Sequence, residues 1–494
     1  MSSVPSYVLS GEHDPRQWSK WRRWAIAFVI WHSIAPVDLA VTFYSGIQQQ
    51  IQDDFHTTES IVTLGVGLYN FGATFGPLIA SPLSEIYGRR PVYVTSMVGF
   101  TILSLCTALS PSVFILLGCR TLGGLIGSGV FSLYGGSLSD MFNPLERAPL
   151  VALFTIMLQG APTFGPVPAS LLGAFVPWRW LMGFITVWAA LLAGLLVLLP
   201  ETEPSAIQKK LAKQHGMPVI PTRGSSKDMS NMWREALFTP ITMLLQEPIV
   251  SWTTLYHAFV YGLLFLLLEA YPHVFAALYG MSRQETGLVF LAPWIGNLLG
   301  VLFYFVSLKP HLRARRNQIF CESSGKRQIS PEERLPGVVI GSLFTPIGML
   351  WFALTARPDI PRLVPILSGI PVGIGMTLMQ LSLLNYYIDL YPTRSASVVA
   401  ANCAVRNLTA TVFPSVAVPL YRALGIRGAS LALACVSCIG FPMALILLAH
   451  GKRLRVQSRW AVQDAVGVPG PVAPLLGQYV VQGYGGTVTS SRTS

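Results

Sequence analysis

The chain has 494 residues, of which 52% are hydrophobic and only 11% charged, with a net charge of +12. A soluble domain devotes about a quarter of its residues to Asp, Glu, Lys and Arg, so this composition excludes one and predicts a polytopic membrane protein. The basic excess falls between apolar runs, where cations act as orientation signals rather than as a nucleic-acid surface, and no nucleic-acid partner is expected.

A bilayer-spanning helix needs about 20 mainly apolar residues. Twelve runs meet that length: 25–47, 61–81, 92–110, 112–138, 148–173, 179–199, 249–276, 285–307, 336–356, 363–388, 395–421 and 427–449. The N-terminus is polar and lacks the charged start and apolar core of a cleaved signal peptide, so the first run is expected to stay as a helix. An even number of crossings places both termini on one side. With that side as the cytoplasm, Arg16, Lys20, Arg22, Arg23, Arg89, Arg90, Arg147, Arg394 and the basic residues of both long connectors and the tail lie inside. The outer loops then hold only Arg179, Arg283, Arg357, Arg362, Arg422 and Arg427. Positive residues favour the cytoplasmic side, so both termini are expected there.

The longest connector divides the runs into six and six, the plan of parallel-repeat transporters. The expected organisation is a tail of 1–24, a half of 25–199, a linker of 200–248, a second half of 249–450 and a tail of 451–494. The linker opens Leu199-Pro200-Glu201-Thr202-Glu203-Pro204 and then turns Lys-rich, which predicts an amphipathic surface helix. In the connector 308–335, Arg313, Arg315 and Arg316 fall where repeat symmetry would place a counterpart of the first hinge. The tail after about 460 is rich in Gly, Val and Ser and is expected to lack structure. The six cysteines are scattered, most of them inside apolar runs, with no metal-like spacing; Cys435 and Cys438 read as packing residues, and no metal or cofactor is expected.

Several motifs carry chemistry. Between the second and third runs, Pro82-Leu83-Ser84-Glu85-Ile86-Tyr87-Gly88-Arg89-Arg90-Pro91 forms a hinge in which Glu85 ends the incoming helix and Gly88 permits a tight turn. Arg89 and Arg90 supply cations on the water side, and Pro91 suits a first helical position. The string resembles the loop signature of the major facilitator superfamily, in the form seen in fungal drug:proton antiporters. In the fourth run, Cys119-Arg120-Thr121-Leu122-Gly123-Gly124 sets an arginine inside the membrane, where an unpaired charge costs at least about 2.5–3.5 kcal/mol. This resembles the superfamily's Arg-x-x-x-Gly signature, whose arginine is tied to proton coupling; bonding the first helix's backbone is the alternative role. Asp38, at similar depth on the first run, is the candidate counter-charge. In the fifth run, Gly160 to Ser170 is similar to the antiporter signature at Gly165-Pro166, while Ala161 and Ala169-Ser170 stand where glycines are usual. Small residues and prolines there allow close approach and flexing.

Resemblance further implies that Glu85, Arg90 and Asp140, with Gly88 and Arg89 in the loop, form a charge cluster at an inner gate. In the second half, His257, Tyr261 and Glu269 lie on the seventh run, in a string similar to that of the fungal subfamily. Asn402 and Arg406 are four apart on the eleventh run and share a helix face; with Gln380 and Asn385 on the tenth they are candidate cavity groups. Asp38, Arg120 and Glu269 are the proton-coupling candidates. Asn407-Leu408-Thr409 matches a glycosylation acceptor but falls mid-membrane and is discounted.

The expectation is an all-α membrane protein of twelve transmembrane helices in two six-helix halves, the major facilitator fold. It would export small amphipathic organic compounds in exchange for protons across a plasma membrane, as a monomer whose partners are the substrate, protons and the lipid bilayer. A polyamine or other small-solute transporter of the same fold and a non-transporting sensor are the alternatives, although the tail does not resemble a large signalling segment. Phosphate-binding loops, zinc helices and nucleophile elbows are absent from the sequence, so an enzyme is not expected.

Overall fold

The computed structural model describes residues 13–142, 144–214, 237–308, 330–391 and 394–461. Arg313, Arg315 and Arg316, most of the central linker and the tail beyond 461 lie outside the described residues. Every regular element among the described residues is helical.

The first half comprises α1 (Lys20–Phe43), α2 (Glu59–Tyr87), α3 (Arg89–Ala108), α4 (Val113–Met141), α5 (Leu150–Leu172) and α6 (Trp178–Leu198). The second comprises α7 (Pro248–Tyr279), α8 (Arg283–Leu308), α9 (Pro336–Thr355) and α10 (Leu363–Leu390), followed by one apolar stretch, Ser397–Gln457. As a straight helix those 61 residues would run about 90 Å, three times a bilayer core. The stretch is instead broken at Gly425, whose φ of +67° and ψ of 166° are not helical, giving α11 (395–424) and α12 (426–457). Twelve crossings result, and they bring the start of α1 and the end of α12 to one side, called here the terminal side.

Local chemistry sets the helix ends. Ser112 caps α4 by accepting from the Ile115 amide at 3.4 Å, and Ser282 with Glu285 forms a capping box at α8. Gly88, at φ +98°, is the single residue between α2 and α3, so α2 runs past Glu85 to Tyr87. Past Phe43 the chain forms a 3₁₀ turn and a short helix, Gln48–Phe55, on the side away from the termini. A further short helix, Pro204–Gln214, carries Lys209, Lys210 and Lys213 of the expected surface helix.

Lipid-facing positions keep large apolar side chains: Phe114, Trp180 and Leu198 are each more than 70% exposed on the protein alone. Inside each half, glycine allows backbones to touch in the same arrangement. Gly124 of α4 meets the Tyr69 carbonyl of α2, and Gly373 of α10 meets the Pro293 carbonyl of α8. The halves meet chiefly along α2 with α11 and α5 with α8.

Gly425→Val should lower the unfolding free energy by about 1–3 kcal/mol, because that backbone region is nearly glycine-only. Thermal unfolding of detergent-purified protein checks this, with Gly428→Ala, in helical surroundings, expected to unfold like the parent.

Candidate functional site

Arg120 enters the first half from α4 and is 3% exposed. Its Nε donates to the Gly65 carbonyl at 2.8 Å, Nη1 to Ala40 at 3.1 Å and Nη2 to Val41 at 3.5 Å. Ala40 and Val41 lie in the last turn of α1, where carbonyls lack intrahelical partners and the helix dipole favours a cation. The guanidinium also lies 3.9 Å from the Tyr44 ring centroid and 5.2 Å from that of Tyr69. Those rings are held by their hydroxyls, Tyr44 donating to Val62 at 3.0 Å and Tyr69 to Val37 at 2.7 Å. Arg120 thus staples the end of α1 to α2. Asp38 is not among its hydrogen-bond partners.

Asp38 is buried, and its Oδ2 has no hydrogen-bond partner among the described residues. The cation that acts on it electrostatically is Arg406, from the other half. Arg406, 2% exposed on α11, donates from Nη1 to Gln380 Oε1 at 2.5 Å and lies 4.2 Å from the Tyr261 ring centroid, while its Nε lacks a partner.

From Arg406 a polar chain continues through the second half. His257 Nδ1 lies 3.0 Å from Asn402 Oδ1. Asn402 Nδ2 donates to Thr254 Oγ1 at 3.4 Å, and the Tyr387 hydroxyl lies 2.7 Å from Thr253 Oγ1. Gln380, His257, Asn402, Arg406 and Tyr261 therefore come together. Asn385 does not join them: its amide donates to the Leu381 carbonyl of its own helix at 2.7 Å. Glu269 sits about 18 Å along α7 from His257, by helix rise, and accepts from Gln48 Nε2 at 2.8 Å, joining α7 to the short helix after α1. At Gly165 and Pro166, where the backbone stays helical, α5 lies against Thr42 in the last turn of α1 and Gly287 of α8.

On the terminal side, Arg89 Nε donates to Asp140 Oδ2 at 3.2 Å, its Nη2 lies 3.0 Å from Glu203 Oε2 and its Nη1 donates to Ser84 Oγ at 2.7 Å. Glu201 accepts from the Arg89 and Arg90 amides at 2.8 and 3.2 Å, capping α3 where a carboxylate is favoured. The Arg90 side chain turns to the Val197 carbonyl of α6. Arg89, rather than the expected Arg90, is therefore the partner of Asp140, because α3 starts at Arg89 and consecutive helical residues point about 100° apart. Glu85 lies exposed near the end of α2.

Sequence reasoning missed the matching set in the second half. Arg334 Nε lies 2.9 Å from Asp389 Oδ2, and Glu332 Oε1 3.0 Å from Arg455 Nε, the latter pair almost wholly buried. Pro331-Glu332-Glu333-Arg334-Leu335-Pro336 precedes α9 as the Gly88 hinge precedes α3, and that placement was the available signal. The signs are reversed: Arg89 binds a carboxylate from beyond α6, whereas Glu332 binds an arginine from the end of α12.

Two six-helix halves, charges buried between them and ion-paired hinges on one side define a secondary-transporter architecture. The chain belongs to the Major Facilitator Superfamily, which it matches over residues 30–414, and it is a membrane transporter. It is 35% identical over 463 residues to the efflux pump FUB11 of Gibberella moniliformis, covering 90% of this chain and 75% of that protein. With the major facilitator superfamily multidrug transporter mdrA of Aspergillus fumigatus it shares 32% identity over 480 residues, 93% of this chain and 76% of the other. Among solved structures, the proton:xylose symporter XylE superposes with a TM-score of 0.62 at 16% identity, over 87% of this chain and 96% of that one. The human organic anion transporter MFSD10 superposes at 0.58 and 16% identity, over 86% and 100%. At such identity both show the fold alone.

Arg120→Lys should lower thermal stability, since a point charge cannot serve three carbonyls; each charged hydrogen bond lost is worth about 1.5–3 kcal/mol. Detergent unfolding curves check this. Arg89→Ala should free the start of the linker, seen as faster deuterium exchange over 200–214, whereas Arg90→Ala should leave the Glu203 contact and hence that exchange close to the parent's.

Proposed function

We propose that the chain is a proton-coupled exporter of small amphipathic organic compounds, working by alternating access as a monomer in the plasma membrane. Its termini lie in the cytoplasm, as the excess of Lys and Arg on the terminal side supports. The single observation that carries the proton reading is Asp38: a carboxylate buried in the first half with one unpartnered oxygen, on which the Arg406 cation of the second half acts electrostatically.

While Asp38 is ionised, it attracts Arg406 across the interface between the halves. A proton on Asp38 removes that attraction, so one protonation event biases how the halves are held. A substrate that donates a hydrogen bond to the ionised carboxylate competes with the proton for the same oxygen, and this exclusion makes an exchange. Protons enter from an acidic exterior and leave to the cytoplasm while the substrate goes out. Arg406, His257, Asn402, Gln380 and Tyr261 line the substrate's path in the second half. Glu269 with Gln48 closes the outer side, and Arg89 with Asp140 and Glu203 closes the inner one. The printed names of the fungal relatives, an efflux pump and a multidrug transporter, support export as the direction.

Substrate charge follows from the balance of buried groups. The central charges are one acid, Asp38, and two bases, Arg120 and Arg406. A polyamine would require an excess of carboxylates, since each buried cation needs compensation. Neutral or weakly acidic compounds fit this balance.

Efflux of a compound panel from overexpressing cells tests the proposal. An uncoupler should make cells retain the exported compounds, and Arg406→Ala should weaken export of acidic compounds more than of neutral ones. Export that ignores the uncoupler, or gradient-independent accumulation of spermine unaffected by Arg406→Ala, would contradict it.

A further inference from the structure

A primary amide in the middle of a membrane protein is costly unless its hydrogens and oxygen are met. Asn297 and Asn407, 2% and 7% exposed, each donate from the side-chain amide across the interface between the halves. Asn297 of α8 donates from Nδ2 to the Gln159 carbonyl at 3.2 Å and to Thr163 Oγ1 at 3.0 Å, both on α5. Its oxygen accepts from Thr377 Oγ1 of α10 at 3.0 Å, which anchors the amide in its own half. Asn407 of α11 donates from Nδ2 to the Ala73 carbonyl of α2 at 3.1 Å.

Both bonds sit at mid-depth. Ala73 is 14 residues from either end of α2, and Asn297 is 14 residues from Arg283 and 11 from Leu308. Among the described residues, two further polar contacts between the halves sit near one end: Gln48 with Glu269 at 2.8 Å, and Glu59 with Arg422 at 3.8 Å. When the side away from the termini opens, those end contacts must separate. Contacts at mid-depth move least.

The chemistry of the two mid-depth bonds also suits a joint. Both donors belong to the second half, and both backbone acceptors are carbonyls inside helices of the first, which cannot swing away. The asparagine amide turns freely about χ2, whose energy profile is broad, so the bond can follow a changing tilt. The bonds lie in different interfaces, α2 with α11 and α5 with α8. A rigid body held at two separate points keeps one freedom, rotation about the line that joins them.

We propose that Asn297 and Asn407 are the two pins about which the halves rock, so that they are positioning residues for the transport cycle rather than substrate or proton sites. This rests on alternating access as the mode of transport, and its test reads distances, not export. A tilt of roughly 15°, ordinary for rigid-body rotations, on an arm of about 20 Å moves each end by about 5 Å and the pin level hardly at all.

Electron–electron resonance distances would be measured in lipid nanodiscs at pH 5 and pH 8, on a cysteine-depleted background. One label pair is at pin level on the lipid-facing Phe71 and Val412; the others are on Ser60 with Leu424 at one end and Tyr87 with Val456 at the other. The pin-level pair should keep one narrow distance while the two end pairs shift by several ångströms in opposite senses. In the Asn297→Leu, Asn407→Leu double variant, the pin-level distribution should become as broad as those of the ends. A pin-level pair that moves as far as the ends, ends that do not move, or a double variant with an unchanged pin-level distribution would overturn the proposal. Where the double variant does not fold, the single Asn297→Leu and Asn407→Leu variants are measured instead, each expected to broaden the pin-level distribution, and an unchanged distribution in both would overturn the proposal.

Discussion

A guanidinium inside a bilayer can be answered only by protein, and this constraint organises the interior of the chain. Arg120 is answered in full. The end of α1 supplies carbonyls without intrahelical partners, α2 supplies Gly65, and two tyrosine rings cover the remaining face. Arg406 is answered in part: one nitrogen has Gln380, one face has Tyr261, and Nε has no partner. The first arginine is a fixed structural joint. The second keeps an unpartnered nitrogen, and the carboxylate that acts on it electrostatically, Asp38, belongs to the opposite half.

The same logic extends to the terminal side, where partly buried charges are paired rather than hydrated. Each half ties the start of its third helix, or the turn just before it, to the end of its fourth, through Arg89 with Asp140 and Arg334 with Asp389. Each also ties that region to the segment at or beyond its last helix, through Arg89 with Glu203 and Glu332 with Arg455. Reversal of sign in the last pair preserves the attraction while removing the sequence likeness. A repeat that is plain in three dimensions is therefore faint in the sequence.

Features that depend on one segment's hydropathy or one turn's geometry were legible in the sequence. The apolar runs located the helices to within several residues, the break between 421 and 427 fell around Gly425, and the Gly88 hinge was readable from its own residues. An arginine in an apolar run announced Arg120, and its bonding to the first helix's backbone was one of two roles considered. Features that depend on which way a side chain leaves its helix, or on which distant element lies opposite, were not legible. Whether Arg89 or Arg90 meets Asp140 turns on the residue at which α3 starts. Asp38 was paired by depth with Arg120, although the cation that acts on it comes from the other half, about 370 residues along the chain. Asn297 and Asn407 carried no local signal, since an isolated asparagine in an apolar run says nothing about the helix it will face.

The account turns on Asp38 as the group that exchanges a proton for substrate. Proteoliposomes enclosing a pH-sensitive dye test it most directly, when a neutral amphipathic compound that the protein exports is added as a concentration step with no pre-existing pH gradient. The account predicts a pH change in the sense of protons moving against the compound, and its disappearance in Asp38→Asn protein that still binds the compound. A proton signal of undiminished size in Asp38→Asn protein would contradict it.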